Sequence, residues 1–332
     1  MKKTFSQAVT RMNALLCLCV ILLHLTSNPV VELTPFHPWH ILMFLLNKTL
    51  VFAVPGFLFL SGLKLYRRYS AQPIDPLQFY RRRITKIFLP YVLSVSVYFV
   101  YYYAKNLVSL RDLPIHIFLG TLASHFYYVI IALQFYLLFP LLKKLVDRHP
   151  VVLTLVSMTS TLTFYQFIHF PYSDRFAGTY LFYFVLGMLF AKYSYHESCQ
   201  KFLPWNLIAL TLTAIAHFYS LYQTTYGTLS YSWANAATVL YATLAMTAVY
   251  SLLVRLSQKH PVPSQLTQSL SQISYPIYLY HLLMLMILQY DIFPRFSLTS
   301  RYRFLISLVC LMSLVYLCTR IHQKRNLHKK SA

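Results

Sequence analysis

The sequence predicts an all-α fold: a polytopic transmembrane bundle of about ten spans, with both termini cytoplasmic. Three observations predict it. Hydrophobic residues make up 58% of the 332 residues and charged residues 11%, less than half of the ~25% charge of a soluble domain. Mean hydropathy is +0.53, and the apolar residues fall in blocks of about 18–24, the length a helix needs to cross roughly 30 Å of hydrocarbon. Only six glycines occur in the chain, which favours continuous helices; a β-barrel would show short alternating strands.

The blocks predict spans, in order, at 12–30, 41–65, 85–104, 122–142, 150–170, 176–193, 203–221, 232–254, 273–290 and 303–320. The first follows Lys2, Lys3 and Arg11 like a secretory leader, but no small-residue cleavage site comes after it, so it is expected to stay as a span. The second carries Pro55-Gly56, where a kink is expected. Residues 113–121 are too short to cross and are expected at the interface. No repeat and no low-complexity linker divides the chain, so 1–332 is expected to be a single transmembrane domain.

Charge sets the orientation. With the N-terminus inside, 22 Lys and Arg residues fall on the inner side. Six (Lys105, Arg111, Arg175, Arg295, Arg301 and Arg303) fall outside, and Lys48 falls within a span, which accounts for all 29. That is the positive-inside bias, and it also answers the net charge of +22. The basic residues sit between apolar spans and meet anionic lipid headgroups, so nucleic acid is excluded as a partner. Cys17, Cys19, Cys310 and Cys318 lie in spans and Cys199 in a loop, without the spacing of a disulfide framework or a zinc site. No metal is expected.

Polar groups in hydrocarbon are costly and mark function by default. His24 falls midway along the first span and His281 midway along the ninth; Asn47 and Lys48 fall in the outer half of the second. All seven acids (Glu32, Asp75, Asp112, Asp147, Asp174, Glu197 and Asp291) are placed in loops, which argues against an intramembrane carboxylate relay and a proton-coupled transporter. A neutral imidazole can take a proton and return it, as acyl transfer to a sugar hydroxyl requires; a hydrogen-bonded structural histidine is the alternative at each position. The segment from Lys64 to Lys86 holds seven of the 22 inside charges. On a helix, Arg82, Arg83 and Lys86 share a face suited to the phosphates of a nucleotide-bearing donor; a lipid-bound topological anchor is the alternative. Ser61 and Gly62 permit close approach of a helix or ligand, and packing alone would explain them too.

Together these residues resemble the acyltransferase-3 family of bacterial membrane acyltransferases. ALLCLCVILLH is similar to its first-span motif ending in the essential histidine, His24. VPGFLFLSGLKL is similar to its second-span motif ending in Ser-Gly. FYRRRITKIFLPY resembles its Arg-x-x-Arg segment before a proline, with Arg83 and Lys86 in the paired positions and Pro90 after them. HFYYVIIALQFYLLFPLL contributes His125, Tyr136 and Pro140, YFVLGMLFAKY contributes Gly187, and ISYPIYLYH contributes Ser274, Tyr278 and His281. The pieces run in order along most of the chain. Two departures stand out: Asn13 occupies the position, eleven residues before the histidine, where the family usually has arginine, and Lys86 stands where many members have arginine.

The resemblance implies transfer of a small acyl group, acetyl or succinyl, from a cytoplasmic acyl-CoA-type donor to a hydroxyl of a surface polysaccharide or its lipid-linked precursor. It implies a bacterial plasma-membrane protein without a tightly bound cofactor, working in bacterial membrane lipid and beside polysaccharide-synthesis machinery. His24 and His281 are the expected catalytic residues. Arg82, Arg83, Lys86 and Ser61 are expected to bind the donor, and Tyr278, Ser274, Asn47 and Lys48 to line the substrate route. The competing readings are a transporter or flippase of a lipid-linked glycan or acyl donor, and a glycan polymerase or its non-catalytic partner.

Overall fold

A computed structural model describes residues 2–35, 37–168, 170–195, 198–226 and 236–331, and among these it is helical with no strand. Glu197 and the side chains of Lys2, Lys3, Lys329 and Lys330, all used in the charge argument, lie outside the described residues, as do positions 232–235 of the eighth expected span.

Helix α1 runs Lys2–Glu32 and α2 runs Pro38–Thr49. His37 caps α2, its Nδ1 accepting from Trp39 N at 3.2 Å, and Pro38 sits at the first position, where a missing N–H is no loss. One 3₁₀ turn, Leu50–Phe52, leads into α3 (Ala53–Tyr69). Pro55 has no N–H to offer the Val51 carbonyl, so the expected irregularity at Pro55-Gly56 is taken up as a tightened turn just before it. α4 (Pro76–Arg83), capped by Asp75, passes through a π turn at Ile84–Phe88 into α5 (Leu89–Tyr103). Pro90 deprives the Lys86 carbonyl of its usual partner, and the helical register slips there.

The short α6 (Leu113–Leu119) ends on Gly120 at φ 62°, the left-handed closure that suits glycine. Then follow α7 (Tyr127–Arg148), α8 (Pro150–Gln166), α9 (Ala177–Lys192), α10 (Leu203–Tyr226), α11 (Ala236–Lys259), α12 (Gln265–Ile287, prolonged by a π turn to Ile292) and α13 (Ser300–Ser331). Several acids assigned to loops belong instead to helix ends: Glu32 closes α1, Asp147 sits in the last turn of α7, and Asp291 lies in the π turn. At these three ends the helices outrun the apolar blocks that announced them.

Among the described residues, seven helical stretches are long and apolar enough to cross a membrane: Thr4–Glu32, Pro38–Tyr69, Pro76–Tyr103, Ser124–Arg148, Ala236–Lys259, Gln265–Arg295 and Ser300–Asn326. The other three expected spans correspond to α8, α9 and α10. With 17 and 16 residues, α8 and α9 rise only ~25 Å at 1.5 Å per residue. α10 has 24 residues but carries Asn206 and His217 among several threonines.

The helices form two compact units. One takes in α1, α2, α10, α12, α13 and α11 from Leu244 onward. Here α1 packs against α2, α12 and α13. Matched pairs give the directions. Glu32 meets Gln289 and Cys17 meets Ser274, so α1 and α12 run parallel. His322 meets Gln272, whereas the earlier Arg303 approaches Glu32 beside the later Gln289, so α12 and α13 are antiparallel.

The other unit takes in residues 55–198 and the start of α11. α9 packs against α7 and α8, with Phe135 stacked on Phe184 at 4.6 Å. α3 crosses α9 glycine to glycine: a Cβ on Gly62 would strike the Phe184 carbonyl, and one on Gly187 the Phe59 carbonyl.

Candidate active site

In the first unit, α1 and α12 meet at one constant sequence offset of 257, seen in Cys17 with Ser274 and in Glu32 with Gln289. Along each helix these positions are seven and eight residues apart, about two turns, and therefore share a face. His24 and His281 are the middle pair. Their ring centroids lie 5.1 Å apart with planes inclined at 47°. His281 is only 2% exposed and its Nδ1 donates to the Tyr278 carbonyl at 2.8 Å. A carbonyl only accepts, so the neutral ring keeps its proton on Nδ1 and its lone pair on Nε2. The Tyr278 ring lies 5.9 Å from that of His281. Both are buried, whereas His24 is half-buried.

Three turns before His24, Asn13 donates to the Ser271 carbonyl at 2.8 Å and to Ser274 Oγ at 2.7 Å. Ser274 Oγ in turn donates to the Ser271 carbonyl at 3.0 Å. The amide that stands at the family's arginine position therefore fastens α1 to α12 on the face that carries the histidines. Arg11 points elsewhere. Its guanidinium donates to Ser257 Oγ and, at 2.5 Å, to the His260 carbonyl, tying the start of α1 to the end of α11.

The Asn47 amide is used on α1: Nδ2 donates to the Leu23 carbonyl at 2.9 Å, Thr26 Oγ1 at 3.0 Å and Ser27 Oγ at 3.3 Å. It braces the turn of α1 that carries His24. Lys48 turns away, its Nζ 5.6 Å from the centre of the Phe44 ring and its carbonyl 3.2 Å from His217 Nε2.

Two unlike recesses reach the histidine pair. An apolar groove of about 400 Å³ lies between α12 and α13. His281, Pro276, Val315, His322 and Arg325 are among the residues that line it. From Gln272, which bonds His322, to His281 is nine residues of α12, about 14 Å. Toward the opposite end of α12, a small polar niche opens on His24. Its walls include Glu32, Gln289 and Arg303, none of which the sequence motifs singled out. Glu32 was legible only as an isolated acid at the end of an apolar block.

The basic segment belongs to the second unit. The Arg83 guanidinium lies 5.0 Å from the ring centres of both Phe79 and Tyr136, and its buried Nε has no hydrogen-bond partner among the described residues. Ser61 Oγ donates to the Tyr136 hydroxyl at 3.3 Å, so the predicted serine and arginine share one tyrosine. Arg82 is half-buried and Lys86 exposed. The π turn at Ile84–Phe88 begins directly after Arg83 and contains Lys86, which regular helical spacing did not foresee. Among the described residues none of the three cations pairs with a carboxylate.

No three of His, Cys, Asp and Glu come together as metal ligands among the described residues. Cys199, outside the spans, is buried, and burial raises its thiol above its ordinary value. Such a thiol stays protonated and is a poor nucleophile.

No curated protein and no solved structure matches the chain. The acyltransferase-3 family model, described as an acyltransferase domain, matches residues 9–320. That range takes in both histidines, the arginine segment and all but the two ends of the chain, and the chain belongs to the acyltransferase-3 family.

Proposed function

We propose that this acyltransferase is an O-acyltransferase of the bacterial plasma membrane. It moves an acetyl or succinyl group from a cytoplasmic acyl-CoA-type donor to a hydroxyl of a surface polysaccharide or its lipid-linked precursor, alongside the polysaccharide-synthesis machinery and without a tightly bound cofactor. The observation that carries this reading is the His24–His281 pair, 5.1 Å apart on two helices locked in register. The acceptor oxygen attacks the thioester carbonyl while His24 takes its proton. The tetrahedral intermediate then collapses, the C–S bond breaks, and the departing thiolate takes that proton back. His281, with its lone pair on Nε2, holds the hydroxyl or the His24 ring in line. The donor phosphates are assigned to Arg82, Arg83 and Lys86, beside Ser61, on the chemistry of uncompensated cations. Ser274, Asn47 and Tyr278 hold the histidine helices in place, and Lys48 lies further along the substrate route.

We also propose ten spans with both termini cytoplasmic. Parity supports this. Parallel helices in a bilayer require an even number of crossings from the end of α1 to the end of α12. The seven long stretches alone give five, which is odd, so an odd number of α8, α9 and α10 must cross as well. Ten spans, with all three crossing, agree with the charge bias between loops.

Isotope-labelled acetyl-CoA or succinyl-CoA, supplied to the purified protein with a glycan acceptor, tests the reading. Label should move into the glycan with the wild-type chain and not with His24→Ala. Glycan movement across a vesicle without label transfer would favour a flippase instead.

A further inference from the structure

We infer that the polar niche over His24 is the acceptor subsite and that it is built for an uncharged, hydroxyl-bearing sugar unit; the inference rests on the acyltransferase reading above. The niche lies where the ends of α1 and α12 meet the start of α13. Asn28, Glu32, Gln289, Ser300, Arg303 and Ser307 line it together with His24. Gln289 Nε2 donates to Glu32 Oε1 at 2.9 Å, and Arg303 approaches Glu32 Oε2 at 4.0 Å. Arg303 Nε donates to the Leu298 carbonyl at 3.1 Å, which steadies the guanidinium beside Glu32.

The charges decide the ligand class. One carboxylate and one guanidinium offset each other, and the other polar side chains are the His24 imidazole and the uncharged amides and hydroxyls of Asn28, Gln289, Ser300 and Ser307. An anionic sugar would meet Glu32, and an amino sugar with a free ammonium would meet Arg303; neither gains net attraction. A neutral sugar hydroxyl both donates and accepts, and it satisfies either wall. Size narrows the geometry. The enclosed space is about 20 Å³, enough for roughly one water-sized group. One hydroxyl projects to His24 while the sugar ring stays outside the niche, against the Glu32–Arg303 pair. His281 opens instead on the apolar groove, so the polar partner approaches from the His24 side.

The test is direct binding, without donor, to the purified full chain in lipid nanodiscs. The probes are a neutral N-acetylhexosamine pentamer, its deacetylated cationic form and a uronate-containing anionic pentamer. The neutral pentamer should bind at least about tenfold more tightly than either charged one. Arg303→Gln and Asn28→Ala should each weaken it about tenfold, the effect of losing one strong hydrogen bond. Asn28 is exposed, so its replacement leaves helix packing intact should Arg303→Gln fail to fold. Equal binding of the three probes, tighter binding of a charged one, or wild-type affinity in Asn28→Ala would overturn the assignment. Because binding is read without chemistry, the two readings fail separately. Normal niche binding with no acyl transfer from any acyl-CoA sinks the acyltransferase reading alone. Transfer with unaltered binding in the niche variants sinks the niche alone.

Discussion

Asn13 on α1 donates to Ser274 Oγ on α12 at 2.7 Å, three helical turns before His24 and on the same face. On α12, Ser274 precedes His281 by seven residues, about two turns. The two contacts are successive rungs between the same pair of parallel helices. Register set at the first rung is inherited at the second, because a helix transmits rotation and translation rigidly over a few turns.

Asn13→Leu removes the first rung while keeping bulk. Stability should fall by about 1–2 kcal/mol, the scale of interhelical hydrogen bonds in membranes, and acyl transfer should fall about tenfold as the histidines lose alignment. Thermal unfolding in detergent and labelled-acyl transfer measure the two effects. A variant with wild-type transfer would remove Asn13 from the positioning role.

Replacing either histidine with alanine should lower acyl transfer by roughly 10²–10⁴-fold, the range of positioned acid–base groups. The double variant should be little worse than His24→Ala alone, since residues acting as a unit are non-additive. Membrane levels of each variant are checked on the same samples. Multiplicative losses in the double variant would mean that the two rings act independently, despite their 5.1 Å separation.

Arg83 lies against two aromatic rings, a setting that suits a flat guanidinium and not a point-charge ammonium. Arg83→Lys should therefore behave nearly like Arg83→Ala, raising the donor KM about tenfold or more with a smaller change in kcat. Initial rates against acyl-CoA concentration give both constants. A lysine variant with wild-type KM would show that charge alone is used there.

Gly187→Val places a branched Cβ against the Phe59 carbonyl. The obstacle is backbone, which cannot rotate away. Overpacking of this kind costs about 1–3 kcal/mol or more, and the variant should unfold at lower temperature. Gly187→Ala should show a smaller drop of the same sign. Unchanged melting of both would contradict the close crossing of α3 and α9.

Single cysteines placed at Arg111 and Arg175 in a cysteine-free background should react with an impermeant maleimide on intact cells. Those at Lys143 and Lys201 should react only after permeabilisation. Labelling of Arg175 from the same side as Lys143 would mean that α8 does not cross, and ten spans would have to be abandoned.

The amino-acid sequence by itself determined that the chain is helical and membrane-spanning, because hydrocarbon demands long apolar helices with internally paired backbones. Its motifs named His24, His281, Ser61 and the arginine segment. Two kinds of fact stayed out of reach. Backbone irregularities depend on which carbonyl a proline leaves unpaired and how the helix around it responds, as at the π turn before Pro90. Neighbours across helices depend on register: Asn13 is an ordinary polar residue until α12 brings Ser271 and Ser274 beneath it. Glu32 lies far in sequence from Gln289 and Arg303, and the three become one niche only because α1 and α12 run parallel while α13 returns against them. Local composition fixes which segments enter the membrane, and packing alone fixes which side chains face each other inside it.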